Sequence, residues 1–152
     1  MESNGKIETL MSRMGRPYLG IHIDRDLSLT LVKMLSDILS PSYFEDVTRN
    51  QQRRDSGRHH ITVVRPKEFE VLNQTVIESI LGQEVEFSIL GIGEACREDK
   101  KTFYGIVESK DIQLLRERLG FDISDLHITL GFYIDDVHTV RKDRSTLIQH
   151  NY

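Results

Sequence analysis

The chain has 152 residues, 38% of them hydrophobic and 29% charged, with a formal net charge of −4. That length holds a packed core, and this balance of apolar and charged residues excludes a disordered chain. The acidic charge argues against a grip on duplex DNA, no apolar run approaches the ~18 residues of a membrane span, and the lone cysteine, Cys96, excludes an internal disulfide.

In chain order, Ile7, Leu10, Met11 and Met14 recur at helical spacing. Residues 1–16 are therefore expected to form a short N-terminal helix or arm, broken at Gly15-Arg16-Pro17. Met1 to Lys6 lack the apolar core of a secretory signal, which with the single cysteine predicts a reducing, cytoplasmic setting. Tyr18 to Ile23 alternate as a strand, with Tyr18, Gly20 and His22 on one face. Asp24 and Asp26 then cap a helix carrying Leu27, Leu31, Met34, Leu35, Ile38 and Leu39, which ends before Pro41.

Residues 40–59 hold few regular signals and read as a polar loop, anchored by Tyr43 and Phe44 and rich in arginine up to Arg58. Such a loop either approaches a phosphate or is simply solvated. Arg58 to Val64 form a strand, ended by Arg65-Pro66. Phe69, Leu72, Val76, Ile77, Ile80 and Leu81 mark a second amphipathic helix that stops at Gly82.

Residues 84–107 read as a hairpin around the polar turn Glu98 to Lys101, with a bend at Gly91-x-Gly93. Phe103 falls on the core face; Tyr104, on the other, borders a cleft or packs. Ser109 caps a third helix with Ile112, Leu115 and Leu119 on its apolar stripe, ended by Gly120. Leu126 to Phe132 form the last strand. Residues 133–152 read as a polar tail, either solvated or lending Lys142 and Arg144 to a phosphate. Strands and helices without regular βα alternation imply an α+β fold.

Two of these strands share a pattern: His60-Ile61-Thr62-Val63 and His127-Ile128-Thr129-Leu130. Side chains alternate along a strand, so His60 and Thr62 share one face, as do His127 and Thr129. If the strands are neighbours, two imidazoles and two hydroxyls converge. Two imidazoles titrating near neutrality serve as general base and general acid, and the hydroxyls donate to anionic oxygens. That set suits transfer at a phosphate without a metal ion. His22 is a third imidazole, weighed against a histidine bonded within the sheet, and His59 points away from His60. No His-Glu-x-x-His zinc motif, serine nucleophile elbow or phosphate-binding glycine loop is present.

Two His-x-Thr motifs on apolar strands resemble those of the 2H phosphoesterase superfamily, from about Tyr18 to Phe132. The resemblance implies one domain over residues 1–152, built as two pseudo-symmetric lobes with antiparallel sheets flanking a cleft. It implies His60, Thr62, His127 and Thr129 as catalytic residues, with Tyr18 on a strand lining the same cleft; Tyr104, Arg58, Lys142 and Arg144 are the further candidates around the substrate. No cofactor and no metal are expected. The short chain further resembles phage nucleases that degrade cyclic oligonucleotide immune signals (anti-CBASS nucleases), which would act in the host cytoplasm. The expected substrate is a cyclic di- or trinucleotide cut at a 3′–5′ bond. A 2′,3′-cyclic phosphate or RNA end comes second. The expected partner is thus a small nucleotide or short RNA, with no duplex DNA and no membrane; oligomeric state is not legible. Two competing readings are a nucleotide-binding module without turnover and an unrelated α+β domain whose two imidazoles lie apart.

Overall fold

The computed structural model describes residues 1–148 of the chain. In chain order its elements are β1 (Glu2–Lys6), β2 (Glu8–Met11), β3 (Pro17–His22), α1 (Arg25–Ile38), α2 (Pro41–Asp55), β4 (His60–Val64), α3 (Pro66–Phe69), α4 (Gln74–Ile80), β5 (Glu84–Arg97), β6 (Lys100–Glu108), α5 (Lys110–Arg118) and β7 (His127–Tyr133), then a 3₁₀ turn at Arg144–Thr146. Among the described residues, the seven strands form one antiparallel sheet in the order β1-β5-β6-β7-β4-β3-β2. The fold is α+β, as expected.

Two lobes, β1-β5-β6-β7 and β4-β3-β2, meet where the two motif strands touch. That seam is a single pair, Ile61 opposite Ile128, and both side chains are fully buried. It is narrow because each motif strand bends just beyond its threonine. In β4, Val63 is an extra residue between partners of Leu19 and Gly20. In β7, Leu130 is extra between partners of Phe103 and Tyr104. Both extra residues stand at the same place in the motif. A bulge bends its strand and adds twist, so the paired bulges splay the lobes into a cleft.

The N-terminal segment is not a helix or a loose arm. It is the two edge strands of the sheet. β1 pairs with β5 and β2 with β3, so Ile7 alone separates strands at opposite edges, which curls the sheet. Ile7 and Leu10 are buried, whereas Met11 and Met14, counted in the helical stripe, are exposed. Ser3-Asn4-Gly5 is poor helix material, and two unpaired edges offer a full ladder of hydrogen bonds. Gly5 lies so close to Ile21 that a Cβ there would sit 2.4 Å from its Cγ2.

Residues 40–59 are also corrected, from loop to helix α2. Pro41 occupies the first turn behind Ser40, and Val47 and Gln51 form a narrow buried face. The polar composition hid that face. Gly131 of β7 admits α2, because a Cβ there would lie 3.0 Å from the Val47 backbone. The helix expected from Phe69 is two, α3 and α4, since Asn73 caps a fresh start by accepting from the Val76 N–H at 2.9 Å. The tail departs from a solvated one: Asp136, Val137 and Lys142 are buried, and Leu147 bridges to Gly93. Residues 149–152, the end of the tail, lie outside the described residues. No helix among the described residues is long and apolar enough to cross a membrane.

Candidate active site

The seam pair sets the site. With Ile61 opposite Ile128 in antiparallel register, His60 falls beside Thr129 and Thr62 beside His127. All four line one cleft of about 2420 Å³. Their arrangement is close to two-fold: each motif contributes one imidazole and one hydroxyl on the face that Ile61 and Ile128 leave. Neither threonine hydroxyl bonds another described residue, so both remain free to donate to a ligand.

Each imidazole meets a tyrosine from its outer neighbour strand. Tyr18 of β3 stands edge-on to His60, centroids 5.9 Å apart, with its hydroxyl 3.3 Å from His60 Nε2. Tyr104 of β6 stands edge-on to His127 at 5.7 Å. Tyr104 is 0% exposed, so of its two expected places, bordering the cleft or packing, it takes the second and is a buried support rather than a substrate contact. Its hydroxyl donates to Thr146 Oγ1 at 2.7 Å, and Thr146 donates onward to the Asp143 carbonyl, tying the tail beneath His127. Burial pushes the Tyr104 phenol up to about 12 and raises that of Tyr18. Both stay protonated.

The imidazoles differ in their remaining surroundings. His127 Nδ1 lies 2.8 Å from the Asp125 carbonyl, an acceptor, so Nδ1 carries the hydrogen and Nε2 keeps a lone pair. Burial, reinforced by the Lys142 ammonium, pushes the His127 pKa down to about 4 against that hydrogen bond. His127 is therefore neutral at pH 7. His60 is also lowered, first by burial, but the Asp55 carboxylate works the other way. His22 lies directly across from His60 on β3 and lines the same cleft. His59 is buried on the other side, its Nδ1 without a hydrogen-bond partner among the described residues.

Behind the imidazoles runs a charge network that the sequence did not announce. Arg54 binds Asp55 and Asp136 and lies 5.0 Å over the Phe132 ring. Asp136 also accepts from Thr102 Oγ1 at 2.7 Å. Lys142 donates to the Val137 carbonyl, and its backbone N–H donates to Asp125 at 3.0 Å. Burial lowers the Lys142 ammonium while Asp136 opposes the shift. The Arg54–Asp136 and Thr102–Asp136 contacts join residues far apart in sequence, and the tail after β7 brings Asp136 to them.

Of the expected substrate residues, Tyr18, Arg58, Lys142 and Arg144 line the cleft. Arg58 is exposed at its rim; Arg144 is exposed too, but paired with Glu108 at 2.9 Å. Among the described residues no group of three or more His, Cys, Asp or Glu side chains is placed to hold a metal ion. The arrangement offers one neutral imidazole, a second with carboxylate support, two hydroxyl donors and a nearby ammonium. A family model described as Swiss Army Knife, 2H phosphoesterase domain, matches residues 21–138. No curated protein and no solved structure matches the chain.

Proposed function

Because the chain belongs to the 2H phosphoesterase family, and is thus an enzyme of phosphodiesterase type, we propose that it opens 3′–5′ phosphodiester bonds in small cyclic oligonucleotides, with His127 as base and His60 as acid. The observation that carries this reading is the unequal setting of two imidazoles on one cleft. His127, neutral and with Nε2 free, takes the proton from the attacking oxygen, a ribose 2′-hydroxyl or a water. That oxygen forms a bond to phosphorus as the bond to the departing oxygen breaks. His60, in its protonated form, with the Asp55 carboxylate offsetting part of the cost of burial, gives its proton to that departing oxygen. Thr62, Thr129 and Lys142 face the charge on the non-bridging oxygens, where preorganised donors matter most. No step is assigned to a metal.

The cleft volume supports a substrate larger than a mononucleotide, since it exceeds the ~300–1,000 Å³ of ordinary small-molecule sites. A 2′,3′-cyclic phosphate on a nucleotide or RNA end is the second reading, because the cleft is open enough for a linear end. Assays in chelator separate them, using a 3′,3′-cyclic dinucleotide, a 2′,3′-cyclic mononucleotide and an RNA ending in a 2′,3′-cyclic phosphate. Opening of the cyclic dinucleotide is expected, with His60→Ala and His127→Ala each about 10²–10⁴-fold slower. Turnover of the 2′,3′-cyclic substrates alone would establish the second reading instead.

A further inference from the structure

The cleft continues past the imidazoles, toward the end where β4 exits and β7 enters. Arg65, the first residue after β4, lies four residues beyond Ile61, roughly 13 Å at about 3.3 Å per residue. On the small lobe this end carries Met11, at the end of β2, and Arg13, in the β2–β3 turn. Lys67 of α3 joins them. Across the cleft it carries Ile123, in the loop before β7, and Val140, next to the Arg141–Asp125 ion pair. Two features of this end lack an internal explanation. Met11 and Ile123 are 62% and 78% exposed, one on each wall of a concave surface. Arg13 and Lys67 form no ion pair among the described residues, whereas Arg16, Arg65 and Arg141 on the same cleft do.

Exposed apolar side chains on both walls of a cleft, with unpaired cations on the same lining, suit a ligand with a flat apolar face and a phosphate. We propose that this end is a subsite for the nucleotide next to the scissile linkage, with Met11 and Ile123 flanking its base and Arg13 and Lys67 holding the phosphate beyond it. The proposal rests on the phosphodiesterase reading above and narrows it to substrates of two or more nucleotides. A mononucleotide held at the imidazoles leaves this end empty. The whole chain is acidic, so the attraction is local, and it should fade with salt as counterions compete.

The test is direct binding, which does not depend on turnover. His127→Ala protein is titrated into a fluorescent tetranucleotide RNA and a fluorescent 2′,3′-cyclic mononucleotide, from about 50 to 200 mM salt. The titration is repeated with Arg13→Ala and Lys67→Ala added. Tetranucleotide affinity should fall about tenfold at low salt, and the slope of log affinity against log salt should flatten by about 1.4, two single-strand contacts. Mononucleotide affinity should fall far less. In the same background, Met11→Ala with Ile123→Ala should weaken the tetranucleotide without changing the salt slope. An unchanged salt slope, equal losses for both ligands, or no tetranucleotide binding would overturn the subsite. Wild-type protein that turns over no phosphodiester, yet shows this length dependence, would overturn the cleavage reading and leave the subsite standing.

Discussion

His127 and His60 occupy equivalent places in their lobes, so their difference must come from their neighbours. The clearest neighbour is Lys142, buried and repelling a proton on His127. Lys142→Met keeps the stem and removes the charge. The His127 pKa should then rise from about 4, because the ammonium's repulsion is gone and only burial and His60 still oppose protonation there. The acid limb of the kcat/KM profile should move to higher pH, and a profile that does not move would deny Lys142 this role. The alkaline limb should lie below the ordinary imidazole value, since burial lowers His60 as well. Tyr18→Phe removes only the hydroxyl beside His60 Nε2. A hydrogen bond of this kind is worth about 1 kcal/mol, so kcat should fall about fivefold with the melting temperature little changed. The four motif residues were legible because their types and alternation carry the chemistry. Their supports were not. Tyr18 and Tyr104 were expected around the substrate, but nothing in the pattern of either strand shows that they stand edge-on to the imidazoles. The Asp125 carbonyl is backbone and has no sequence signature.

At the scale of elements, the lobes are held by more than the narrow seam. Arg116 of α5 is 1% exposed and reaches across to the small lobe. It grips Glu68 through both Nη atoms, at 2.9 and 2.8 Å, and donates to the Val63 carbonyl beside the β4 bulge. The guanidinium holds the Glu68 carboxyl below its usual value despite burial. Removing one partner strands the other charge, so Arg116→Met should cost about 3–5 kcal/mol in urea denaturation. Arg116→Met with Glu68→Met should recover much of that loss, whereas additive losses would mean that the two do not act as a pair. The apolar stripes of α1 and α5 were readable because their buried residues follow helical spacing and Asp24 and Ser109 cap them. α2 was not, because its buried face is only Val47 and Gln51 within a run of polar residues. The edge strand β1 failed for another reason: its partner β5 lies more than eighty residues away in pairs such as Glu2 and Ser88, and no local window contains that pairing.

For the whole molecule, acid should weaken the fold. A histidine buried neutral contributes stability fully above its unfolded value near 6.5, and loses it as pH falls toward the folded value of about 4. For His127 that is of the order of 3 kcal/mol. Glu68 and Asp136 have depressed carboxyl values and lose their contributions in the same direction, at lower pH. Urea midpoints should therefore drop between pH 7 and pH 4.5, and His127→Gln should flatten that drop. A midpoint that stays level would contradict the burial argument. Activity and stability then pull apart, since the proposed acid on His60 needs protonation while the fold favours neutral imidazoles.

The one-residue link through Ile7 bears on the order of events during synthesis. Glu2 to Lys6 emerge from the ribosome before the other strands of the sheet, yet their partners, residues 84–88, arrive only after some eighty more have been made. At about 5–20 residues per second that is a wait of several seconds. β2 can pair once β3 is out, so the small lobe has its sheet early, while β1, which belongs to the other lobe, waits unpaired. Closure of the sheet, and with it the far wall of the cleft, is deferred until β5 has appeared. The nascent chain should thus pass through a stage with a finished first motif and no second, unable to act on any phosphodiester until β7 has appeared.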